Sequence, residues 1–223
     1  AAAGAISGTG GLTLVNGLVR LAGVNTYTGT TTITAGTLKL EGPLALPGGM
    51  GATGGTSCLN LTTGVIGLAT SGTFERALGT GPSQVRFSSA TGPAGFAAYG
   101  GDRYVNLGGN GAAMGIGDVN FFTAGTGTFA LSAPDADGTL YFLNDFSIGA
   151  GGGNKYILVY DGSAAVDAVM SGSFSNGSNR LPTKVGPGTL SLTNANSSNQ
   201  GAWYIQDGVV TVNLVTGVAS GPW

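Results

Sequence analysis

Apolar and polar residues alternate in short runs along the whole chain, and Gly, Asn, Asp or Pro separates one run from the next. Alternation with a period of two is the pattern of a half-buried β-strand. The runs read LVRLAG, GTLKL, QVRFSS, RYVNLGG, TLYFLND, KYILVYDG, GTLSLT and GVVTVNL. No 3.6-residue period extends beyond a turn or two, because glycine interrupts nearly every window. The pattern therefore predicts an all-β protein without substantial helix.

The two ends of the chain repeat one pattern. Residues 17–29, GLVRLAGVNTYTG, align with residues 188–200, and TTITAGTLKL then aligns with WYIQDGVVTVNL if the second copy carries one extra residue. Related modules are thus predicted at about 4–40 and 172–214. No linker composition separates them, so residues 1–223 are predicted to form one domain.

Repetition of short strands with glycine or asparagine at the turns favours a solenoid, here a single-stranded parallel β-helix. A β-sandwich is the competing architecture, since it also has many short strands. With coils of roughly 20 residues and a rise of about 4.8 Å, the β-helix would be about 50 Å long. The side chains predicted to point inward are Val19, Leu21, Ile33, Leu38, Leu40, Leu190, Leu192, Ile205, Val210 and Val212.

Low charge limits the classes of partner. Charged residues make up 8% of the chain, against roughly 25% in an average domain. The net charge is −2 and no basic run occurs, which argues against nucleic acid as a partner. No apolar run reaches the roughly 18 residues that a membrane-spanning segment needs. Cys58 is the single cysteine, and it is interpreted as a small buried apolar residue, with a reactive thiol as the alternative.

The segment NTYTGTTTITAGTLKL resembles the autotransporter-associated β-strand repeat, whose usual form reads roughly N-T-Y-T-G-G-T-T-I-x-A-G-T-L-x-L. Thr30 stands where a second glycine is usual. In the second copy Lys184 keeps the lysine that usually precedes the strand, whereas Leu14 stands near that place in the first. The residues that match the pattern are Asn25, Thr26, Tyr27, Thr28, Gly29, Thr31, Thr32, Ile33, Ala35, Gly36, Thr37, Leu38 and Leu40. The resemblance implies a secreted or surface-displayed β-helical passenger, extracellular or on the cell surface, and it implies no catalytic residues.

Candidate chemistry is sparse. The chain has no histidine, which removes the commonest general base and histidine metal sites. Asp135 and Asp137 lie close enough in sequence to suggest calcium, but the other ligands of a calcium loop are missing, and a turn after Pro134 is the preferred interpretation. The carboxylates are Glu41, Glu75, Asp102, Asp118, Asp135, Asp137, Asp145, Asp161, Asp167 and Asp207. No catalytic, cofactor-binding or metal-binding residue is predicted, and no cofactor.

Other candidate sites have structural interpretations. Asp161-Gly162 and Asp207-Gly208 are typical turn dipeptides. The glycine-rich segment 149–154 lacks the ending of a phosphate-binding loop and is interpreted as a corner. Asp102 and Arg103 are expected to form a local ion pair. The aromatic residues for which stacking on sugar rings is the less favoured alternative to a core position are Tyr99, Tyr104, Trp203 and Tyr204.

Three functions are compatible with this sequence. The first is a secreted structural protein that polymerises head to tail, with the 1–21 end meeting the 209–223 end of a neighbour and Trp203 and Trp223 buried at the joint. The second is a passenger fragment that acts as an adhesin or stalk. The third, less favoured, is a polysaccharide-acting β-helix enzyme. Its partners are accordingly expected to be further copies of itself, or else a cell-surface or extracellular polysaccharide.

Overall fold

Short β-strands form all of the regular secondary structure in the computed structural model, and no α-helix occurs among the residues that it describes. None of these residues therefore lies in a helix long and apolar enough to cross a membrane. The structure describes residues 4–88, 92–123, 127–148, 155–176, 182–194, 198–199 and 203–212. Two features of the sequence, Trp223 and the glycine-rich segment 149–154, lie outside the described residues.

The described part of the chain contains 23 strands, each two to six residues long. The first twelve are β1 (Leu12–Leu14), β2 (Leu18–Leu21), β3 (Thr31–Ile33), β4 (Thr37–Leu40), β5 (Leu59–Leu61), β6 (Gly64–Leu68), β7 (Thr73–Phe74), β8 (Ala77–Leu78), β9 (Gln84–Phe87), β10 (Pro93–Ala98), β11 (Arg103–Val105) and β12 (Met114–Gly115). The others are β13 (Gly127–Leu131), β14 (Leu140–Phe142), β15 (Phe146–Ser147), β16 (Lys155–Val159), β17 (Ala168–Met170), β18 (Phe174–Asn176), β19 (Thr183–Val185), β20 (Thr189–Leu192), β21 (Ser198–Asn199), β22 (Tyr204–Ile205) and β23 (Val209–Val212).

The strands stack into four sheets, and every ladder between named strands is parallel. Sheet 1 has the order β1-β3-β5-β9-β8, and sheet 2 has the order β2-β4-β6-β10-β13-β16-β19-β22. Sheet 3 has the order β23-β20-β17-β14-β11-β7, and sheet 4 has the order β12-β15-β18-β21. A chain that visits one sheet after another and pairs each strand with its equivalent one coil later is a parallel β-helix. The predicted fold class is confirmed, and the sandwich is excluded.

In-register pairing places inward side chains in columns that run along the solenoid. In sheet 2 one column consists of Val19, Leu38, Ile66, Phe96, Leu131 and Val159. In sheet 3 the corresponding column consists of Phe74, Val105, Phe142, Met170, Leu192 and Val212. All of these side chains except Val19 and Val212 are buried. The period-2 pattern of the sequence thus becomes a continuous apolar interior.

All nine phenylalanines are buried in this interior, and eight of them lie between the two repeat modules. Phe87, Phe121 and Phe129 form the centre of the aromatic cluster, with ring centroids 4.8–6.0 Å apart and tilted or edge-to-face geometry. Large rings fill a wider cross-section than aliphatic side chains do. The aromatic core therefore coincides with the widest coils.

Coil size differs between the ends and the middle. The step from Leu18 to its partner Thr37 is 19 residues, and that from Leu190 to Val210 is 20. Between Gly95 and its partner Ala130 the step is 35 residues. The expected coil of roughly 20 residues therefore holds only in the repeat modules, and the expected length of about 50 Å is too large. Eight coils in sheet 2 give about 38 Å at about 4.8 Å per coil.

Most of the predicted inward side chains lie where expected, with two exposed exceptions. Ile205 and Val212 are 51% and 43% exposed. Their register partners, Lys184 and Leu192, are buried, so both residues belong to inward columns. They are exposed because they lie on the last described coil, where no further described strand covers them.

A glycine with positive φ forms the corner that leads into each of the strands β2, β4 and β6. Gly17, Gly36 and Gly64 have φ values of 85°, 84° and 92° and lie above one another on three successive coils. A Cβ at Gly36 would lie 2.1 Å from the Gly17 carbonyl oxygen, whereas a Cβ at Gly17 would meet nothing within 4 Å. On these three coils the corner therefore needs glycine for its positive φ. Gly36 also needs it because a Cβ there would collide with the corner of the preceding coil.

These glycines give the first prediction. Gly17→Ala should cost about 1 kcal/mol of unfolding free energy, the cost of a left-handed backbone angle alone. Gly36→Ala should cost at least about 2 kcal/mol more, because its methyl group also strikes the Gly17 carbonyl. Chemical denaturation of both variants, with Gly10→Ala as the control in open space, measures the difference. Equal costs for Gly17→Ala and Gly36→Ala would contradict the stacked corner.

Candidate functional site: buried polar ladders, lateral groove and end coils

Asn25, the first residue of the NTYTG segment, joins three coils by hydrogen bonds. It is 2% exposed. Its Oδ1 accepts from the Ile6 amide at 2.7 Å, and its Nδ2 donates to the carbonyls of Ala45 at 2.8 Å and Gly23 at 3.3 Å. A side-chain amide suits this place because it both donates and accepts. Asn25 therefore pairs backbone groups at a turn where no strand ladder reaches them.

Tyr27 and Thr31 extend this polar interior. The Tyr27 hydroxyl lies 2.7 Å from Thr31 Oγ1, which lies 2.9 Å from Ser57 Oγ on the next coil. The Ser57 hydroxyl also donates to the Gly29 carbonyl at 2.7 Å. All three hydroxyl-bearing residues are buried, and burial raises the pKa of the Tyr27 phenol. The characteristic polar residues of the repeat thus act as internal hydrogen-bond partners and not as reactive groups.

Arg76 is buried without a carboxylate beside it. Its guanidinium donates to the carbonyls of Pro47, Gly49 and Ser57 at 2.5–3.0 Å, and the residue is 0% exposed. Burial lowers the pKa of Arg76 to about 10, and the nearby Cys58 and Tyr27 raise it only slightly. The geometry of four bonds to three carbonyls fits a clamp that holds the 43–58 loop against the coil.

Lys184, the lysine of the second repeat copy, also lies inside the solenoid. It occupies the column between Ile157 and Ile205. Its Nζ donates to the Gly186 carbonyl and, at 3.0 Å, to the Asp207 carbonyl one coil later. Burial lowers the pKa of Lys184. The lysine thus ties two successive corners together, which explains its place immediately before a corner.

The carboxylates are distributed over turns and do not cluster. Asp167 accepts from the amides of Gly162 at 2.7 Å and Thr189 at 2.8 Å, and Asp145 accepts from the Ser173 amide at 2.6 Å on the next coil. Asp118, Asp137 and Asp207 likewise accept from backbone amides. Among the described residues, no group of three His, Cys, Asp or Glu side chains is placed to hold a metal ion.

Three local interpretations can be compared with the structure. A turn follows Pro134, and Asp135 accepts from the Tyr99 hydroxyl at 2.6 Å. The expected ion pair of Asp102 and Arg103 is wrong, because the guanidinium donates instead to the carbonyls of Asp102 and Gly100. Within the described residues, the ion pair that does form joins Arg20 to Glu41 at 2.6 Å.

Cys58 is half-buried and has no disulfide partner. Its Sγ lies 3.9 Å from the Gly79 carbonyl oxygen. Burial raises the pKa of the Cys58 thiol, and the positive charges of Arg86 and Arg76 oppose this only in part. A raised thiol pKa lowers the thiolate fraction at neutral pH, which favours the structural interpretation of Cys58.

A shallow groove of about 410 Å³ runs over the outer face of sheet 3. Tyr141 lines it and stacks on Tyr104, with ring centroids 5.0 Å apart and planes 25° from parallel. The rest of the lining is small or hydroxyl-bearing: Thr139, Ala165, Val166, Val169, Ser171, Ser191 and Thr193. The lining carries no charged side chain, so the groove offers one aromatic stack and several hydroxyls.

The four aromatic residues for which sugar stacking is the less favoured alternative do not form one surface. Tyr99 is 2% exposed beneath Lys39, whose Nζ lies 3.9 Å from the ring centroid, and Trp203 packs on Phe174 at 4.6 Å. Only Tyr104 and Tyr204 are exposed, and they lie on different sheets. An extended aromatic platform made by these four residues is therefore excluded.

The first and last described coils expose most of the apolar surface. Of the eleven exposed large apolar side chains among the described residues, eight lie on or beside these two coils. At the N-terminal coil they are Ile6, Val15, Leu18 and Val24, and at the C-terminal coil they are Tyr204, Ile205, Val209 and Val212. Strands β1, β2, β22 and β23 stand at the outer edges of their sheets. Unpaired strand edges with apolar side chains are surfaces that invite further strand pairing.

Comparison with known protein families agrees with the resemblance to the autotransporter-associated repeat. Residues 7–40 and 183–212 match the family described as Passenger-associated-transport-repeat. The chain therefore carries two copies of an autotransporter passenger repeat, and the resemblance seen in the sequence is confirmed. The family indicates a secreted or surface-exposed protein. No curated protein and no solved structure matches the chain.

The buried cations are the site feature that sequence reasoning missed. Arg76 and Lys155 lie beside glycine-rich segments in the sequence, and an exposed charge is the ordinary expectation for Lys and Arg. Lys155 Nζ donates to the carbonyls of Ile148 and Ile116 at 2.6 and 3.0 Å. Only eight of the 223 residues are Lys or Arg. This scarcity is the one feature of the sequence that points to a specific role for each of these cations.

Arg76 gives the second prediction. Arg76→Ala should lower the unfolding free energy by about 3–5 kcal/mol, because three buried carbonyls lose their donor and a cavity remains. Arg103→Ala should cost less than about 1 kcal/mol, because Arg103 bonds only carbonyls of its own turn. Thermal and chemical denaturation compare the two. A small effect of Arg76→Ala would show that the guanidinium does not hold the 43–58 loop.

Proposed function

We propose that this chain is a secreted structural subunit whose β-solenoids associate head to tail into extracellular filaments or a surface layer. The observation that supports it is that, among the described residues, no further strand lies beyond β1, β2, β22 and β23, and that both end coils carry exposed apolar side chains. The N-terminal edge would meet the C-terminal edge of a neighbour. Such a contact is heterologous, and it propagates without closing if no ring forms.

The sizes of the two end coils support this joint. The coil steps of 19 residues at the N-terminal module and 20 at the C-terminal module are nearly equal. A coil of 35 residues, as in the middle of the molecule, has a different outline and would match neither end. Two ends of equal circumference let backbone pairing continue from one subunit into the next.

Apolar burial and backbone pairing both contribute to the joint. Burying a half-exposed aliphatic side chain is worth on the order of 1 kcal/mol, and eight large apolar side chains are exposed at the two ends. Association costs about 4–15 kcal/mol in lost translation, rotation and ordering. Apolar burial alone therefore roughly offsets that cost, and the net affinity would come from the continued strand ladder. Trp203, which packs on Phe174 near the C-terminal coil, would add buried area.

A second candidate function is a passenger stalk or adhesin, and the family match favours it. In that case the edges of β1 and β23 would be covered by further coils of a longer chain, and the isolated protein would be a monomer. The lateral groove beside Tyr104 and Tyr141 is the surface that such an adhesin would offer to a neutral extracellular polysaccharide.

Introducing a charge at either end of the solenoid distinguishes the filament subunit from the stalk or adhesin. The parent protein should form filaments that electron microscopy and sedimentation detect, and Ala5→Asp or Val212→Lys should shift most of the material to monomer. Both residues lie on exposed end coils, where a charge would be desolvated at the joint. Ala113→Asp, at an exposed position away from both ends, is the matched control. A parent that stays monomeric at high concentration would favour the stalk instead.

The proposed role includes no catalysis. The purified chain should not hydrolyse or cleave polysaccharides with or without added divalent metal, because five of its eight aspartates accept from backbone amides at separate turns and Asp135 accepts from the Tyr99 hydroxyl. Reducing-sugar and unsaturated-product assays on a panel of acidic and neutral polysaccharides measure this. Turnover that Asp135→Asn or Asp137→Asn abolishes would overturn it and restore the enzyme interpretation.

A further inference from the structure

The two repeat copies lie on different faces of the solenoid. In the first copy the two-strand corner runs from sheet 1 to sheet 2, through β1 and β2 and again through β3 and β4. In the second copy the same corner runs from sheet 2 to sheet 3, through β19 and β20 and again through β22 and β23. The two-strand corner of the second copy therefore lies one face further round the solenoid axis than that of the first copy.

We infer that subunits join with each successive copy rotated by one face, so that β22 of one subunit pairs with β1 of the next and β23 pairs with β2. This inference rests on the proposed head-to-tail association. The rotated joint would continue a stacking that occurs twice within the chain. There the strand after one corner pairs with the strand after the next corner, β2 with β4 and β20 with β23. Sheet 2 of one subunit then continues as sheet 1 of the next, and sheet 3 continues as sheet 2.

The third side of each end coil fits the same rotation. In the first coil residues 6–10 precede β1 and bond to residues 26–29, with amide–carbonyl distances of 2.9–3.1 Å. In the last coil β21, on sheet 4, precedes β22. Rotation by one face therefore places all three sides of the first coil on the three equivalent sides of the last coil. Stacking without rotation would instead place β1 and β2 over β21 and β22, so that the two repeat corners would not lie on each other.

The register across the joint follows from the register inside each copy. Leu18 pairs with Thr37, and Val209 pairs with Thr189, and each is the first residue of its strand. Across the rotated joint Val209 therefore lies opposite Leu18 of the next subunit. These two side chains, 49% and 51% exposed in the single chain, would form a cross-strand apolar pair.

The corner glycines agree with this register. Inside the chain each corner glycine lies against a carbonyl oxygen of the preceding corner, as Gly36 does against Gly17 and Gly64 against Gly36. Gly17 has no such neighbour in its own chain. This absence applies to the residues that the structure describes, and in the rotated joint the Gly208 corner of the adjacent subunit would supply the neighbour. Gly17→Ala should therefore lower the polymerised fraction about tenfold or more, an effect of about 1.4 kcal/mol or more, while the monomer folds.

Disulfide trapping tests the rotation directly. In a Cys58→Ser background, Leu18→Cys with Val209→Cys in one chain should give a covalent ladder of multimers on a denaturing gel after mild oxidation. In-register neighbours on parallel strands lie about 4.8 Å apart, within the range that a disulfide spans. The control pair is Leu18→Cys with Gln206→Cys. Gln206 extends the sheet 2 column that contains Leu18, so this pair forms a ladder only if subunits stack without rotation.

The outcomes separate the inference from the proposed function. Filaments with a ladder from the Val209 pair support both. Filaments with a ladder from the Gln206 pair, or from neither pair, overturn the rotation and leave head-to-tail association standing. Absence of filaments at high concentration overturns both. Helical reconstruction of unmodified filaments is an independent readout, with an expected turn of about one third per subunit and a rise of about 38 Å.

Discussion

Backbone hydrogen bonding between successive in-register coils is the interaction on which the rest of this structure depends. Sheet 2 carries it through eight strands, from Leu18 in β2 to Ile205 in β22. Because each coil pairs its strands with the next, identical faces stack and inward side chains form columns. Where the ladder is interrupted at a turn, buried side chains such as Asn25, Arg76 and Lys184 supply the missing donors or acceptors. Among the described residues, the sheet 2 ladder ends at β2 on the first coil and at β22 on the last coil, where no further described strand continues it.

The same constraint is reflected in the partners of the charged side chains. A catalytic site needs several titratable groups converging on one cavity. Here five of the eight aspartates accept from backbone amides at separate places along the solenoid, as Asp145 does from Ser173 on the next coil. The buried cations donate to backbone carbonyls, as Arg76 does to Ser57. The surface that remains is a lateral groove with a single tyrosine stack and two ends with bare strands. The interfacial function that we propose is based on that distribution, and the passenger repeat at residues 7–40 and 183–212 is in keeping with it.

Much of the fold could be predicted from the sequence, for identifiable reasons. Alternation with a period of two fixed the strands, and the repeat fixed their parallel stacking, because a repeated unit can bury its apolar face only against its own copy. Coil size could not be predicted, since the loop 43–58 that widens the third coil carries no periodic signal. Arg76 was missed because a lone cation in a turn-rich segment is ordinarily exposed. The displacement of the second repeat by one face was also beyond the sequence, because it depends on the length of every coil between the copies.

Head-to-tail assembly requires the edges of the end coils to pair with another copy of this chain. Hydrogen–deuterium exchange on monomeric and assembled protein measures those edges directly. Peptides covering β2 and β23 should become protected on assembly, while peptides covering β10 and β13, which are already paired on both sides, should not change. Assembled material in which β2 and β23 exchange as fast as in the monomer would contradict head-to-tail assembly.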